Sequence, residues 1–261
     1  MPEIKLQNVT VDLPLYNSKG RSVKSRILAQ AVGGRAVNRR DQSVVVIRAL
    51  HDVTAHVEHG SRVAIVGANG AGKTTLLRVM AKIYLPTRGA VYVDGRVACL
   101  TDLNVGMDSE ATGFENIRMR GRLLGLTNKQ IAALVPDVAE FSELGEYLKL
   151  PSRCYSHGMM LRLAFGISTG IRPDIILLDE IIGVGDQAFA EKARDRIRSM
   201  IERASILMLA SHNVQIIRAF CSSAIWLAQG RLVTWGPIDE ILESYSASLR
   251  AGAMAGDLAA E

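Results

Sequence analysis

One stretch restricts the fold of this chain more than any other: RVAIVGANGAGKTTLL, Arg62 to Leu77. A short apolar strand pattern, RVAIVG, runs into Gly67-Ala68-Asn69-Gly70-Ala71-Gly72-Lys73-Thr74, which fits G-x4-G-K-[ST] in full, and a helix-forming stretch from Lys73 to about Tyr84 follows. Glycines at 67, 70 and 72 let backbone N–H groups curve around oxygen atoms with no Cβ in the way. The helix start adds partial positive charge. Lys73 has the reach to neutralise terminal phosphates, and the hydroxyl of Thr74, next to Thr75, is a hard oxygen suited to Mg²⁺. A glycine-rich structural turn would need neither the Lys nor the Thr, nor a strand directly before it. Gly67 to Thr75 is therefore read as a nucleotide phosphate cradle.

A cradle of this kind needs acid and base partners at the same sheet edge. DIILLDE supplies an apolar strand of the buried, parallel-sheet type ending in Asp179 and Glu180. Asp179 is placed to assist Mg²⁺, and Glu180 to polarise an attacking water. LMLASH ends a second buried strand on His212, a candidate γ-phosphate contact. Asp186, in GVGD, either shapes the turn after these carboxylates or caps the helix that begins at Gln187.

YSHGMMLRLAFGI raises a different question, because Ser156 and Gly158 open a second helix whose N-terminus also suits an anion. The chain's own phosphate loop has no need of it. The economical reading is that Ser156 and Gly158 act on the nucleotide of a second copy, two chains sharing two sites head to tail.

The order of patterns implies an α/β fold. Residues 1–15 read as strand, residues 17–45 as a Gly-, Ser- and Arg-rich insertion, and PTRGAVYVDGRVACL as carrying hairpin signals at TRG and DG. Gly113 to Ile171 is mostly helical in pattern with a break at Pro151, a lobe placed at about 106–171. DIILLD, the charged helix QAFAEKARDRIRSMIERA, the strand SILMLAS, a short helix, the hairpin AIWLAQGRLVTWG and the helix PIDEILESYSASL follow. Strand and helix in alternation predict a parallel core sheet. One domain is expected over 1–248, with a basic insertion at about 17–47 and a disordered tail at 249–261.

Between Lys19 and Arg48 lie Lys19, Arg21, Lys24, Arg26, Arg35, Arg39, Arg40 and Arg48 against Asp41 alone. This is a solvated loop or a surface for an anionic ligand or membrane face. Nucleic acid is not expected, because aromatics do not interleave with these cations. Cys99, Cys154 and Cys221 lack ligand spacing and read as reduced cytosolic thiols. No apolar run reaches the length of a membrane span, and MPEIKLQNVTV lacks the basic-then-apolar character of a signal peptide.

Taken in order, Gly67–Thr75, YSHGM, DIILLDE, GVGD and His212 resemble the Walker A, signature, Walker B, D-loop and switch-histidine motifs of ABC transporter nucleotide-binding subunits, over nearly the whole chain. The resemblance implies a P-loop NTPase fold with a RecA-like core, an antiparallel β subdomain and a helical subdomain. It implies an ATPase that uses ATP and Mg²⁺, homodimerises, and docks on a polytopic membrane permease at the cytoplasmic face of the inner membrane. It also implies that Tyr16, an aromatic residue of the N-terminal β region, stacks on adenine. LTDLNVGMDSEATGFENIRMRGRLLGLT, FSELGEYLKLPSRCYSHGM and IIGVGDQAF are similar to the ATP-binding subunits of polysaccharide exporters, so a lipid-linked glycan is the expected cargo: O-antigen, with capsule or teichoic acid as alternatives. A permease-independent ATPase of the same type is expected to carry fused cassettes or a coiled coil. A drug exporter is expected to carry LSGGQ and a Q-loop Gln. Three departures stand out. Thr101, Asp102 and Asn104 occupy the place of the Q-loop Gln; His157 interrupts the signature; and a chain ending soon after Ser248 is not expected to hold a carbohydrate-binding domain.

Overall fold

The structure is a computed structural model that describes residues 1–15, 35–37, 45–101, 103, 105–180 and 187–257. In chain order its elements are β1 (Glu3–Leu15), β2 (Arg35–Val37), β3 (Val45–Val57), β4 (Arg62–Val66), α1 (Lys73–Met80), β5 (Arg88–Asp94), β6 (Val97–Cys99), α2 (Gly113–Leu123), α3 (Asn128–Ser142), α4 (His157–Thr169), β7 (Ile175–Asp179), α5 (Gln187–Arg203), β8 (Ile206–Ala210), α6 (Val214–Phe220), β9 (Ser223–Ala228), β10 (Arg231–Pro237) and α7 (Ile238–Asp257). Two compact units divide the chain. One holds residues 1–95, 177–180 and 205–261, and the other 96–176 and 181–204.

The first unit contains an antiparallel sheet ordered β2-β3-β1-β5. Its long strands alternate as the sequence does. Ile4, Leu6, Val9 and Val11 face inward on β1, and Leu50, Val53, Ala55 and Val57 on β3. Bulges interrupt the register near Asn8 and Asp52, both at positive φ, and bend the pair. The second sheet runs β10-β9-β4-β8-β7, with β6 beside the start of β7. β4 lies between two parallel partners, β8 and β9. That explains its unbroken apolar run: Val63, Ala64, Ile65 and Val66 are all buried, as is every residue of β8. Gln229 and Gly230, both at positive φ, turn β9 into β10 as the expected hairpin.

The second unit is mainly helical. Thr112 and Thr127 each cap a helix, with Glu115 and Gln130 returning the bond as capping boxes. Ile117, Leu134, Val138, Leu148, Leu163 and Ile167 pack into one core. Beside it Phe165 stacks on Phe141 at 5.7 Å, and Phe189 meets both edge-on at 5.2 and 6.3 Å. The unit takes in α5 as well as the 106–171 stretch. Arg196 of α5 forms a two-pronged ion pair with Asp137 of α3.

Three expectations differ from the structure. The hairpin predicted at DG does not form, because β5 pairs with β1 while β6 belongs to the other sheet. β6 has only three residues, too few to hold a hairpin, and the Glu3–Gln7 edge offers β5 a longer match. The tail expected to be disordered from 249 instead continues α7 to Asp257. Ala251, Ala253 and Ala255 carry no propensity cost, whereas Gly252 and Gly256 each cost about 1 kcal/mol relative to alanine, and the helix runs through both. The insertion is not all loop, since β2 pairs with β3 at Arg35–Val37 and β3 begins at Val45. Arg48 leaves the basic cluster altogether. It faces Asp12 across β1 and β3, with its Nε donating at 2.8 Å and Nη2 at 3.2 Å. Residues 16–34 and 38–44 lie outside the described residues, and with them most of the basic cluster.

Candidate nucleotide site

The site is built where β4 ends. Gly72, at φ 104, starts α1 without any side-chain cap, so the first-turn N–H groups point outward for an external acceptor. A Cβ at Gly72 would lie 2.7 Å from the Ala49 carbonyl oxygen, and one at Gly67 would collide with the Leu227 carbonyl. The loop can lie this close to β3 and β9 only with glycine at both positions. Gly230, just after β9, fastens it: its N–H donates to the Ala71 carbonyl at 2.9 Å, and its carbonyl accepts from the His51 N–H at 2.7 Å.

Lys73 is buried, 9% exposed, and its Nζ donates to the carbonyls of Gly67 at 2.7 Å and Ala68 at 3.1 Å. Burial pulls its ammonium below the usual lysine range, and the charges of Asp179 and Glu180 oppose that shift. The Thr74 hydroxyl donates to Asp179 Oδ2 at 2.5 Å. Two hard oxygens from α1 and the end of β7 are thereby held together, a donor pair that fits Mg²⁺ when phosphate and water complete the shell. Glu180 follows at φ 56, with its N–H bonded to the Ala210 carbonyl at 2.7 Å. That bond fixes the base candidate to the end of β8, two residues from His212. A carboxylate residue in the left-handed region is uncommon and marks a position held by its surroundings.

A cleft of about 460 Å³ joins these groups. Asn69, Gly70, Gly72, Lys73, Thr74, Thr75, Asp179, Glu180 and His212 line it. Gly67, Ala68 and Ala71 shape the loop behind them. Sequence reasoning missed Leu13, Ile47 and Ala49, which add an aliphatic wall from β1 and β3, and Ala210 and Ser211 at the end of β8. The only signal for Leu13 and Ile47 was their place in alternating strands, which is shared by many core residues.

Ser156 and Gly158 belong to the second unit and do not line this cleft. Ser156 is the N-cap of α4, accepting from the Met159 N–H at 3.2 Å. A Cβ on Gly158 would meet nothing nearer than 3.9 Å, so the helix start has open space beside it. Tyr16 and Asp186 lie outside the described residues, as do Asp102 and Asn104.

Residues 50–183 match the family described as ABC transporter. The chain belongs to the ABC transporter family. Among ABC transporter proteins, it is 40% identical to the O-antigen export system ATP-binding protein RfbE of Yersinia enterocolitica, over 88% of this chain and 96% of that one. It is 36% identical to RfbB of Klebsiella pneumoniae, also named an O-antigen export system ATP-binding protein, over 95% and 99%. A third relative, the teichoic acids export ATP-binding protein TagH of Bacillus cereus, is 31% identical over 95% of this chain but only 43% of its own length. An ABC transporter ATP-binding subunit of known structure shares the fold with a TM-score of 0.65 at 20% identity, over 93% of each chain. A dimeric cassette in a post-hydrolysis state with ADP and Pi does so with a TM-score of 0.62 at 19% identity, over 90% of this chain and 98% of that one. Among the described residues, no helix is long and apolar enough to cross a membrane.

Proposed function

We propose that this chain is the ATP-hydrolysing subunit of an ABC exporter whose cargo is a lipid-linked polysaccharide of the O-antigen type. The observation that carries the ATPase reading is the convergence of Lys73, the Thr74–Asp179 pair, Glu180 and His212 on one cleft. The open N–H groups of α1 bind phosphate oxygens, and Lys73, already desolvated, neutralises them. Thr74 and Asp179 would hold Mg²⁺, which would supply positive charge against the phosphate oxygens. Glu180 orients the attacking water and takes its proton, while His212 contacts the γ-phosphate from the adjacent strand end. The aliphatic wall of Leu13, Ile47 and Ala49 gives the adenine an apolar face.

The polysaccharide reading rests on the two O-antigen relatives, each covered almost end to end. Teichoic acid export is the second reading, favoured by the TagH relative, of which this chain spans less than half. In either case the chain works at the cytoplasmic face of the membrane beneath a polytopic permease. Two copies close head to tail, Ser156 and Gly158 of one meeting the ATP of the other. This is supported by an open helix start that the chain's own cleft does not use, and by the dimeric structures of two similar cassettes.

Glu180→Gln tests the ATPase assignment and the dimer together. ATP binding should persist, turnover should fall by about 10²-fold or more, and ATP should shift the variant to dimer on size exclusion. Near-normal turnover removes Glu180 from its role. A monomer at saturating ATP removes the shared site.

A further inference from the structure

The helical unit buries a charge that ATP chemistry does not require. Arg120, on α2, is 7% exposed, and no carboxylate meets it among the described residues. Its Nη1 donates to the Leu103 carbonyl, and its Nη2 donates to Ser168 Oγ at 3.3 Å. Ser168 in turn donates to the Ala164 carbonyl at 2.8 Å within α4. Burial alone pushes the guanidinium down to about 10, so the fold opposes this charge and still retains it.

The two partners belong to segments with different tasks. Leu103 lies in the connection from β6 to α2, flanked by Asp102 and Asn104, where the sequence departs from the family's Q-loop. Ser168 lies near the end of α4. The start of that helix carries Ser156 and Gly158, and the chain after it runs straight into β7 and the Asp179–Glu180 pair. A charge-assisted bond to a carbonyl, made in a dry interior, is short-ranged and strongly directional. An apolar side chain at 120 would fill the same space without fixing the connection.

We propose that Arg120 is a positioning residue for ATP turnover: its guanidinium ties the backbone at Leu103 to the signature helix α4, so that the two move as one piece. The hydroxyl of Ser168 and the carbonyl of Leu103 are the two ends of this tie. It acts on turnover, through the placement of α4, and leaves nucleotide capture by the first unit alone. The proposal rests on the ATPase reading above.

The test is steady-state ATP hydrolysis by the full chain, wild type beside Arg120→Met and Arg120→Lys, with thermal melts of each. Replacing a buried ionic group by an apolar one of similar length is often close to neutral for stability. Arg120→Met should therefore melt within a few degrees of wild type, keep its KM for ATP within about twofold, and lose about tenfold or more in kcat. Arg120→Lys, whose single ammonium can serve one end of the tie, should recover part of that loss. A kcat within about twofold of wild type in Arg120→Met overturns the proposal, as does a loss expressed in KM. If Arg120→Met does not fold, Arg120→Lys decides. A folded lysine variant with kcat down about threefold or more at unchanged KM supports the tie, and wild-type kcat refutes it. A wild-type chain that hydrolyses no ATP would instead refute the ATPase reading, a separate outcome.

Discussion

Lys73→Met should separate the stability of the empty protein from its affinity for ATP. Lys73 holds two loop carbonyls at 2.7 and 3.1 Å and is 9% exposed. Charge-assisted bonds of this kind contribute about 1.5–3 kcal/mol each. Against them stands the desolvation of the ammonium, large enough to pull its pKa down despite two nearby carboxylates. The two effects oppose each other, so the empty variant should differ from wild type by no more than about 1 kcal/mol. ATP sees a different balance. An ammonium has three donors and two are on carbonyls, which leaves one for phosphate. One charge-assisted bond in a desolvated site, with its through-space attraction, is worth about 3 kcal/mol, or roughly 100-fold in Kd. The assay is a thermal melt with and without MgATP at about 100 times the wild-type Kd. Wild type should gain about 2.7 kcal/mol, or about 5–11 °C for a chain of this size. The variant, then near its own Kd, should gain only about 0.4 kcal/mol, or roughly 1–2 °C. An empty variant that melts far below wild type would show that Lys73 supports the loop. An undiminished ATP shift would show that it does not touch the nucleotide.

Phe165→Ala removes the ring shared by Phe141 and Phe189 at a fully buried position, and denaturant unfolding should report a loss of about 3–5 kcal/mol; a loss under about 1 kcal/mol would mean that the aromatic cluster collapses around the gap. Burial lifts the Cys221 thiol from 9.0 to about 12, so the unfolded chain sheds this proton first as pH rises. The contribution of Cys221 is therefore intact below about pH 9 and declines by about 1.4 kcal/mol per pH unit up to about pH 12. Between pH 8 and 10.5, urea melts should therefore show wild type losing about 2 kcal/mol more stability than Cys221→Ala. Cys154, exposed, should react with a thiol reagent in the folded chain well before Cys221.

The parts of the site that were legible in the sequence are those with a covalent spacing. Gly67 to Thr75 is contiguous, and its chemistry follows from the order of its residues. Asp179, Glu180 and His212 each end a buried strand, and an apolar run that stops at a polar residue shows which edge it reaches. The aliphatic wall has no such mark. Leu13, Ile47 and Ala49 come from two antiparallel strands whose bulges set which side chains face the cleft, and bulges at Asn8 and Asp52 leave no pattern that a single chain reveals. Arg48 was misjudged for a related reason. Its neutralising partner, Asp12, is near only through strand register, so charge counted along the chain overstated the basic cluster. Nothing in the sequence sets Arg120 apart from Arg118 and Arg122, since only burial distinguishes it.

The fastening of the phosphate loop by Gly230 has a consequence for the order in which the protein comes into being. The loop is encoded in the first third of the chain, yet both neighbours of its strand, β8 and β9, and the glycine that holds Ala71 are encoded in the last. During translation the motif leaves the ribosome long before anything exists to shape it. Lys73 and Thr74 then follow a strand that has neither of its neighbours, and Asp179 has yet to be joined to Thr74. A nascent chain stalled before β8 carries every residue of the phosphate loop, yet it lacks both strands that flank β4 and the glycine that holds Ala71.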